Sequence, residues 1–184
     1  MKLIETLRND LRTYEGDCFA QGVWVAVVQR FGEWRYGIRL SPVRKGLSFL
    51  YKVVYKLTQI LTGVEYPCEA KMGAGTRIDH FGGIIVSGYA SIGDYCVIRQ
   101  GVTIGLKNET EPVAPKIGDH VSIGAGAKLL GDITIGSHVE IGANAVVLQD
   151  VPSHAIAVGI PARIIERKRE QKEEPRHHSP SGVQ

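Results

Sequence analysis

The sequence has few cysteines, no long apolar run and no strong excess of charge. Its three cysteines (Cys18, Cys68 and Cys96) are odd in number and form no Cys-x-x-Cys pair, so a disulfide framework is not expected and a reducing cytoplasm is favoured. The N-terminal residues lack the apolar core of a signal peptide. The longest strongly apolar stretch, residues 23–28, is far shorter than the roughly 20 residues of a membrane span. An amphipathic surface contact is left open.

The charge and glycine content narrow the class of protein further. A net charge of +3 does not favour nucleic acid or an anionic membrane as a partner. The charged share of 22% and the hydrophobic share of 43% exclude disorder throughout the chain. Glycine, at 22 of 184 residues, exceeds the usual share of about 7%. That content is too low for collagen and too high for a plain helical bundle.

The composition changes along the chain and predicts three segments. Residues 1–64 hold most aromatics and carry apolar stripes at helical spacing, with Gly63 as a plausible C-cap, so they are predicted to form an N-terminal helical domain. Residues 65–165, rich in Gly, Val and Ile, are predicted to form a second domain, the one that carries the candidate catalytic residues described below. Residues 166–184 are predicted to be a flexible charged tail. Its Arg-Lys-Arg run at 167–169 is interpreted as solvated, with phosphate contact as the alternative.

A six-residue repeat dominates the second segment. Aliphatic or Met residues recur in one phase at Met72, Ile78, Ile84, Ile92, Ile98, Ile104, Ile117, Ile123, Leu129, Ile135, Ile141 and Val147. Period six matches neither a helix nor a simple strand, but three hexads close one 18-residue turn of a parallel β-helix. The pattern therefore predicts a mainly β protein, a solenoid of about five coils with the recurring aliphatic residue pointing inward.

Two breaks interrupt this phase. A short bulge near Gly88 and Tyr89 separates Ile84 from Ile92, and residues 106–115 form a longer excursion before Ile117. Excursions from a rigid solenoid commonly carry function.

The best candidate for chemistry is His80, which lies in the segment Asp79-His80-Phe81-Gly82-Gly83. A neutral imidazole can take a proton from an alcohol near neutral pH when a second group holds its other nitrogen. Asp79 is adjacent and is expected to point away from the imidazole. Glu65 lies 15 residues earlier, just under one coil, and is predicted to come level with His80.

Two further histidines raise the question of a metal. His120 and His138 are 18 residues apart and should stack on one corner of the solenoid. A zinc site built from histidines in such a solenoid needs a third, and the next position in that phase is Ile156, so no metal is expected.

Several segments together resemble the serine O-acetyltransferase family. They are Asp79-His80 with the following Gly-Gly-Ile-Ile-Val, residues 98–105, Pro115-Lys116-Ile117-Gly118, residues 123–128 and residues 157–163. The resemblance covers roughly residues 63–165 and, more weakly, residues 22–34. It implies a left-handed solenoid and acetyl-CoA as a substrate. It also implies that His80 is the general base, Glu65 its orienting carboxylate, and Asp79 and Asp17 contacts of the acceptor.

The coenzyme side of such a site is predicted from small residues. A thin pantetheine arm needs a groove without bulky side chains, and small residues that could line it are Gly105, Ala125, Gly126, Ala127, Ala143 and Ala157. Lys128 and Arg163 are candidate phosphate contacts.

The sequence also departs from the family pattern. Val113 and Ala114 precede Pro115-Lys116-Ile117 where the family has Arg and His, and the helical part is about half the family's length. The leading hypothesis is therefore an acetyl-CoA-dependent transfer to the L-serine hydroxyl, as in cysteine biosynthesis. The alternatives are an O-acetyltransferase for a sugar, polysaccharide or other small hydroxyl acceptor, and a non-catalytic or metal-dependent scaffold.

The resemblance further implies a homotrimer or a dimer of trimers, and no nucleic-acid partner is expected. Family members often dock to cysteine synthase through a C-terminal isoleucine. This sequence ends Ser181-Gly182-Val183-Gln184, so that docking is not expected.

Overall fold

The computed structural model describes residues 3–108 and 110–166. Residues 167–184 of the predicted tail, including the basic run at 167–169, lie outside the described residues. Three helices come first in the described chain: α1 (Leu3–Thr13), α2 (Gln21–Arg35) and α3 (Ser41–Thr62). Pro42 sits in the first turn of α3, where its missing N–H costs no hydrogen bond. Gly63 ends α3 in the left-handed conformation with φ of 66°, which confirms the predicted C-cap.

The strands stack into three sheets that form the sides of a prism, and every pairing is parallel except that of the last strand. Sheet A contains β1 (Val64–Glu65), β4 (Ile84–Val86), β7 (Thr103–Gly105), β10 (Lys128–Leu130) and β13 (Val146–Val147). Sheet B contains β2 (Lys71–Met72), β5 (Ser91–Ile92), β8 (Lys116–Ile117) and β11 (Thr134–Ile135). Sheet C contains β3 (Arg77–Asp79), β6 (Val97–Arg99), β9 (Ser122–Ile123), β12 (Glu140–Ile141), β14 (Ala155–Val158) and β15 (Arg163–Glu166). The chain visits A, B and C in turn, so three strands make one coil.

The predicted inward residues form the core of the solenoid. Every aliphatic or Met residue of the six-residue phase is buried, from Met72 at 6% exposure to Ile98, Ile123 and Leu129 at 0%. The small aliphatic position four residues further on is buried as well, as at Val121 and Ala127. Each coil thus supplies its own apolar layer, and stacking removes these layers from water.

The side chains of the helices cover the lower edge of the first coil. Arg30 of α2 donates hydrogen bonds to the carbonyl oxygens of Met72 (2.6 Å) and Gly73 (2.8 Å). Gln29 donates to the carbonyl of Ala70 at 3.0 Å. No coil lies beneath these backbone groups, so the helices supply the partners that a neighbouring strand supplies elsewhere.

A buried ion pair fixes Arg30 in this position. Its Nε lies 2.9 Å from Oδ2 of Asp10 on α1, and both side chains are nearly inaccessible to solvent. Oδ1 of Asp10 in turn accepts a hydrogen bond from the backbone N–H of Gly75 at 3.1 Å. One carboxylate therefore joins two helices to the first coil.

The other end of the solenoid closes differently. The strand β15 turns back and pairs antiparallel with β14, from Ala155 opposite Glu166 to Val158 opposite Arg163. The last coil is also shorter, because Val151 bridges Ile135 across 16 residues instead of 18.

This shortening corrects the prediction about stacked histidines. His120 and His138 do stack, with ring centroids 4.8 Å apart, but His154 continues the stack at 4.9 Å, and Tyr95 begins it. The prediction placed Ile156 at the third position because it assumed a full 18-residue last coil. The three imidazoles lie face to face within 6° of parallel, so their nitrogens do not converge on a common point.

Within residues 3–108 and 110–166, no helix has the length and apolarity needed to cross a bilayer.

The buried ion pair predicts a large stability effect for Asp10→Asn. The amide can still accept from Gly75, but the buried Arg30 guanidinium then keeps only its longer contact with the more exposed Glu33, at 3.7 Å, so the free energy of unfolding should fall by up to about 3–5 kcal/mol. Urea denaturation at equal protein concentration measures this change. The exposed Asp132→Asn is the matched control, and an equal effect of the two substitutions would contradict the assignment.

Candidate active site

A cavity of about 240 Å³ lies between the helices and the first coil. Its lining residues come from the α1–α2 region and from the coil: Tyr14, Ala20, Gln21, Gly22, Val25, Val64, Ile78, Asp79, His80 and Phe81. Two of the predicted site residues, Asp79 and His80, are therefore brought together in one cavity. The cavity exists because the helices pack against the coil edge.

His80 stands at the corner where sheet C ends and sheet A begins. Its backbone is left-handed, with φ of 59°, and Gly82 and Gly83 continue the turn with φ of 103° and 66°. A residue other than glycine is uncommon in this region of φ, so the tertiary structure holds His80 there at some local cost. The imidazole is exposed at the cavity lining.

Glu65 lies on β1, in register with Ile85 of β4. Its Oε2 accepts a hydrogen bond from Nε2 of Gln59 at 3.0 Å, and Oε1 of Gln59 accepts one from Lys56 at 2.9 Å. The amide therefore holds one carboxylate oxygen in place, and Glu65 is not among the residues that line the cavity. The pairing of Glu65 with His80 stays a prediction.

The carboxylate of Asp79 pairs with Arg77 on the same strand. Nη2 of Arg77 lies 2.7 Å from Oδ2 of Asp79, and the two side chains are 42% and 21% exposed. A partly exposed pair of this kind is weak. The salt bridge uses Oδ2 of Asp79, and Asp79 lines the cavity. Its Oδ1 could therefore contact a cationic group of the acceptor, as predicted.

The predicted acceptor residue Asp17 makes a local contact. Its Oδ1 accepts a hydrogen bond from the backbone N–H of Phe19 at 2.8 Å and so stabilises the turn before α2. The side chain is exposed and is not among those that line the cavity. Its role as an acceptor ligand is a prediction.

Sequence reasoning missed Tyr14, which forms the polar floor of the cavity. Its Oη accepts a hydrogen bond from the N–H of Ile78 at 2.8 Å, which leaves its own O–H to donate. Burial raises the pKa of Tyr14 to about 12, so the phenol stays protonated at physiological pH. The one related signal in the sequence is Gly22 at the start of a helix, which indicates a close approach there without naming its partner; in the structure a Cβ at Gly22 would collide with the Tyr14 hydroxyl.

A second depression lies further along sheet C and its following corner. Its volume is about 520 Å³, and its lining includes the predicted coenzyme residues Ala125 and Ala143 together with Gly124 and Gly142. Arg99 and Glu140, which the sequence analysis did not single out, also line it. We refer to this depression as the small-residue groove.

Backbone hydrogen bonds place His80 and the small-residue groove on one corner of the prism. The N–H of Gly101 donates to the carbonyl of Gly82, that of Gly126 to Gln100, and that of Asn144 to Ala125. His80 belongs to the first coil, and the groove lies at the third and fourth. At roughly 4.8 Å between coils, the two are about 10–14 Å apart along the axis.

The other predicted coenzyme residues are distributed around this corner. The side chains of Ala127 and Ala157 point into the core with 0% exposure, so only their backbone is available to a ligand. Gly105 and Lys128 lie on sheet A, where Nζ of Lys128 donates to the carbonyl of Gly101 (2.5 Å) and to Oγ1 of Thr103 (3.0 Å). Arg163 is exposed on β15. These assignments stay predictions.

Val113 and Ala114, which stand where the family has Arg and His, place no charged side chain at the end of the excursion before Ile117. Ala114 is buried at 3% exposure and Pro115 is buried beside it, while Val113 reaches the surface. In the described residues, no group of three or more His, Cys, Asp or Glu side chains is arranged to hold a metal ion.

A β-helix of hexads with a groove of small residues defines the class of hexapeptide-repeat transferases. The family model for the bacterial transferase hexapeptide (six repeats) matches residues 114–149. Serine acetyltransferase of Synechococcus elongatus is 42% identical over 147 residues, which are 79% of this chain and 57% of that protein. Serine acetyltransferase of Staphylococcus xylosus is 36% identical over 90% of this chain and 79% of its own length. The chain belongs to the serine acetyltransferase family, which confirms the resemblance.

Solved structures agree with this family membership. A serine acetyltransferase from Brucella abortus in complex with coenzyme A matches with a TM-score of 0.76 at 29% identity, over 89% of this chain and 67% of that one. A serine acetyltransferase from Neisseria gonorrhoeae in complex with serine matches with a TM-score of 0.74 at 30% identity, over 89% and 69%. They confirm the predicted fold class, a left-handed parallel β-helix behind a small helical part.

The position of the Tyr14 hydroxyl predicts a specific effect of Tyr14→Phe on acceptor binding. In the acetyl transfer proposed below, loss of the O–H donor should raise the KM for the acceptor about tenfold, corresponding to roughly 1–1.5 kcal/mol, and leave the KM for acetyl-CoA unchanged. Steady-state kinetics with each substrate varied in turn would measure both values. Tyr89→Phe, at an exposed bulge, is the control. Equal changes in both KM values would argue for a structural role only.

Proposed function

We propose that the protein is an acetyl-CoA-dependent O-acetyltransferase that acetylates the L-serine hydroxyl to O-acetylserine. The observation that carries the proposal is the shared corner, where His80 lines an acceptor-sized cavity and the small-residue groove follows along the same edge. The names of the relatives and the coenzyme A and serine complexes of the structural neighbours support the same pair of substrates.

In this proposal His80 acts as the general base. Its neutral imidazole takes the proton of the acceptor hydroxyl while the oxygen attacks the thioester carbon of acetyl-CoA. When the C–S bond breaks, the imidazolium returns the proton to the leaving thiolate of coenzyme A. Backbone N–H groups at the corner stabilise the oxyanion of the tetrahedral intermediate, and Glu65 orients the imidazole through its free oxygen.

The groove suits the pantetheine arm along the part that is lined by glycine and alanine, because no bulky side chain stands there. Ala125 and Ala143 flank close backbone contacts, and Gly124 has the backbone of residues 141–143 within 3 Å of where its Cβ would be. The phosphates of the coenzyme would then extend toward exposed cations such as Arg163, while Lys128 retains N–H capacity beyond its two internal hydrogen bonds.

A second candidate acceptor, a sugar or polysaccharide hydroxyl, is favoured by one observation. Val113 and the buried Ala114 offer no charged side chain for an amino acid's carboxylate. A glycan acceptor has no carboxylate that needs a cationic partner, and its hydroxyl could be acetylated with the same base and the same coenzyme groove.

We further propose a homotrimer packed through its solenoid faces, since the cavity and the groove are open depressions on one corner that a second subunit would cover. A cytoplasmic location fits the three cysteines, which are all free, and the substrate acetyl-CoA.

A coenzyme-release assay tests the activity and the acceptor together. With acetyl-CoA and a panel of L-serine, homoserine and sugars, release of coenzyme A should require L-serine, and His80→Ala should lower kcat/KM about 10²–10⁴-fold. The exposed His138→Ala, on another corner, is the control. Release of coenzyme A with a sugar but not with L-serine would favour the second candidate acceptor. Full activity of His80→Ala would remove the assignment of the base.

The proposed dyad is tested separately by Glu65→Gln. A neutral amide cannot stabilise the imidazolium, so kcat should fall roughly 10–100-fold with little change in either KM. Glu69→Gln, an exposed carboxylate four residues further on, should behave as the wild type. An unchanged kcat for Glu65→Gln would contradict the dyad.

A further inference from the structure

The helix α3 exposes a continuous apolar stripe. Phe49, Ile60 and Leu61 are 72%, 70% and 64% exposed, and Leu57 and Val53 are 54% and 42% exposed. At 100° per residue these side chains fall within about 120° of one another around the helix. Isolated exposed apolar residues are ordinary, but a stripe that runs for three turns marks an interaction surface.

The opposite face of α3 is the one that packs on the protein. Tyr51 is buried at 5% exposure with Val28 and Cys68, and Tyr55 and Val54 pack against the same cluster. Tyr51 lies about 160° around the helix from Phe49. The apolar stripe therefore faces away from the body of the protein.

A row of lysines flanks the stripe on one side. Lys45, Lys52 and Lys56 are exposed and recur at spacings of seven and four, which places them within about 40° of each other. The helix has no acidic residue, and none occurs in the sequence between Glu33 and Glu65. The helix α3 is therefore strongly cationic, although the net charge of the whole chain is only +3.

From this geometry we infer that α3 docks in the plane of an anionic membrane surface. An interfacial helix buries Phe and Leu side chains at the headgroup boundary and keeps lysines among the anionic headgroups. With 22 residues, α3 offers a contact about 33 Å long. Because the membrane meets the outward face only, docking leaves the cavity and the solenoid unchanged.

A second copy of the chain fits this face less well. An antiparallel twofold pairing of α3 across the apolar stripe brings the two lysine rows to the same side, and neither helix has an acid to neutralise them. Anionic lipid headgroups provide the missing opposite charge.

Vesicle flotation with the full chain tests the inference. The protein should float with vesicles of phosphatidylcholine and phosphatidylglycerol at 3:1 and remain unbound with phosphatidylcholine alone. Replacing Lys45, Lys52 and Lys56 together by Gln should weaken partitioning about fivefold per lysine, roughly 100-fold in all at low salt. Ile60→Glu should abolish flotation.

Ile165→Glu, at an apolar site on β15 that is 52% exposed, is the matched control and should float as the wild type does. Circular dichroism of each variant checks that the fold is kept. Absence of flotation, or flotation that the lysine and Ile60 variants do not reduce, overturns the inference. A drop in particle mass by light scattering for Ile60→Glu, without vesicle binding by the wild type, would assign the face to a second copy instead. These readouts need no acetyl transfer, so they are independent of the proposed activity.

Discussion

The lower edge of the first coil is the constraint on which the rest of the structure depends. Each later coil satisfies the backbone of the coil before it, but the first has no predecessor, and unpaired backbone groups in a dry interface are costly. Arg30 and Gln29 donate to its carbonyls, while Asp10, Tyr14 and Tyr51 accept from its N–H groups. The helices are thus the hydrogen-bonding partner that allows the solenoid to begin.

The candidate acceptor cavity is a product of the same contacts. Tyr14 reaches the N–H of Ile78 only because α2 approaches closely at Gly22, and the space left between them and His80 is the cavity. Support of the coil edge and enclosure of the cavity therefore use one set of side chains. A substitution that weakens the packing of the helices on the first coil should therefore also widen the cavity, although His80 itself belongs to the solenoid.

The sequence predicts the solenoid well because its information is local and repeated. Each inward aliphatic residue stands in the same relation to its neighbours six positions away, so Ile98 and Leu129 could be placed in the core without tertiary knowledge. The position of Tyr14 could not be predicted, since it depends on helix packing across more than 60 residues. The third stacked histidine was missed because the last coil is two residues short. Strict periodicity hides such local changes of length.

The reversal of the chain at β15 has a consequence for how copies of this protein avoid polymerising. A stack of identical coils can in principle continue from one molecule into the next and grow into a filament. Here the last strand of sheet C runs against its neighbour, and helices cover the first coil, so neither end presents the geometry that an additional coil would extend. The repeat is finite because its two ends are chemically unlike its middle.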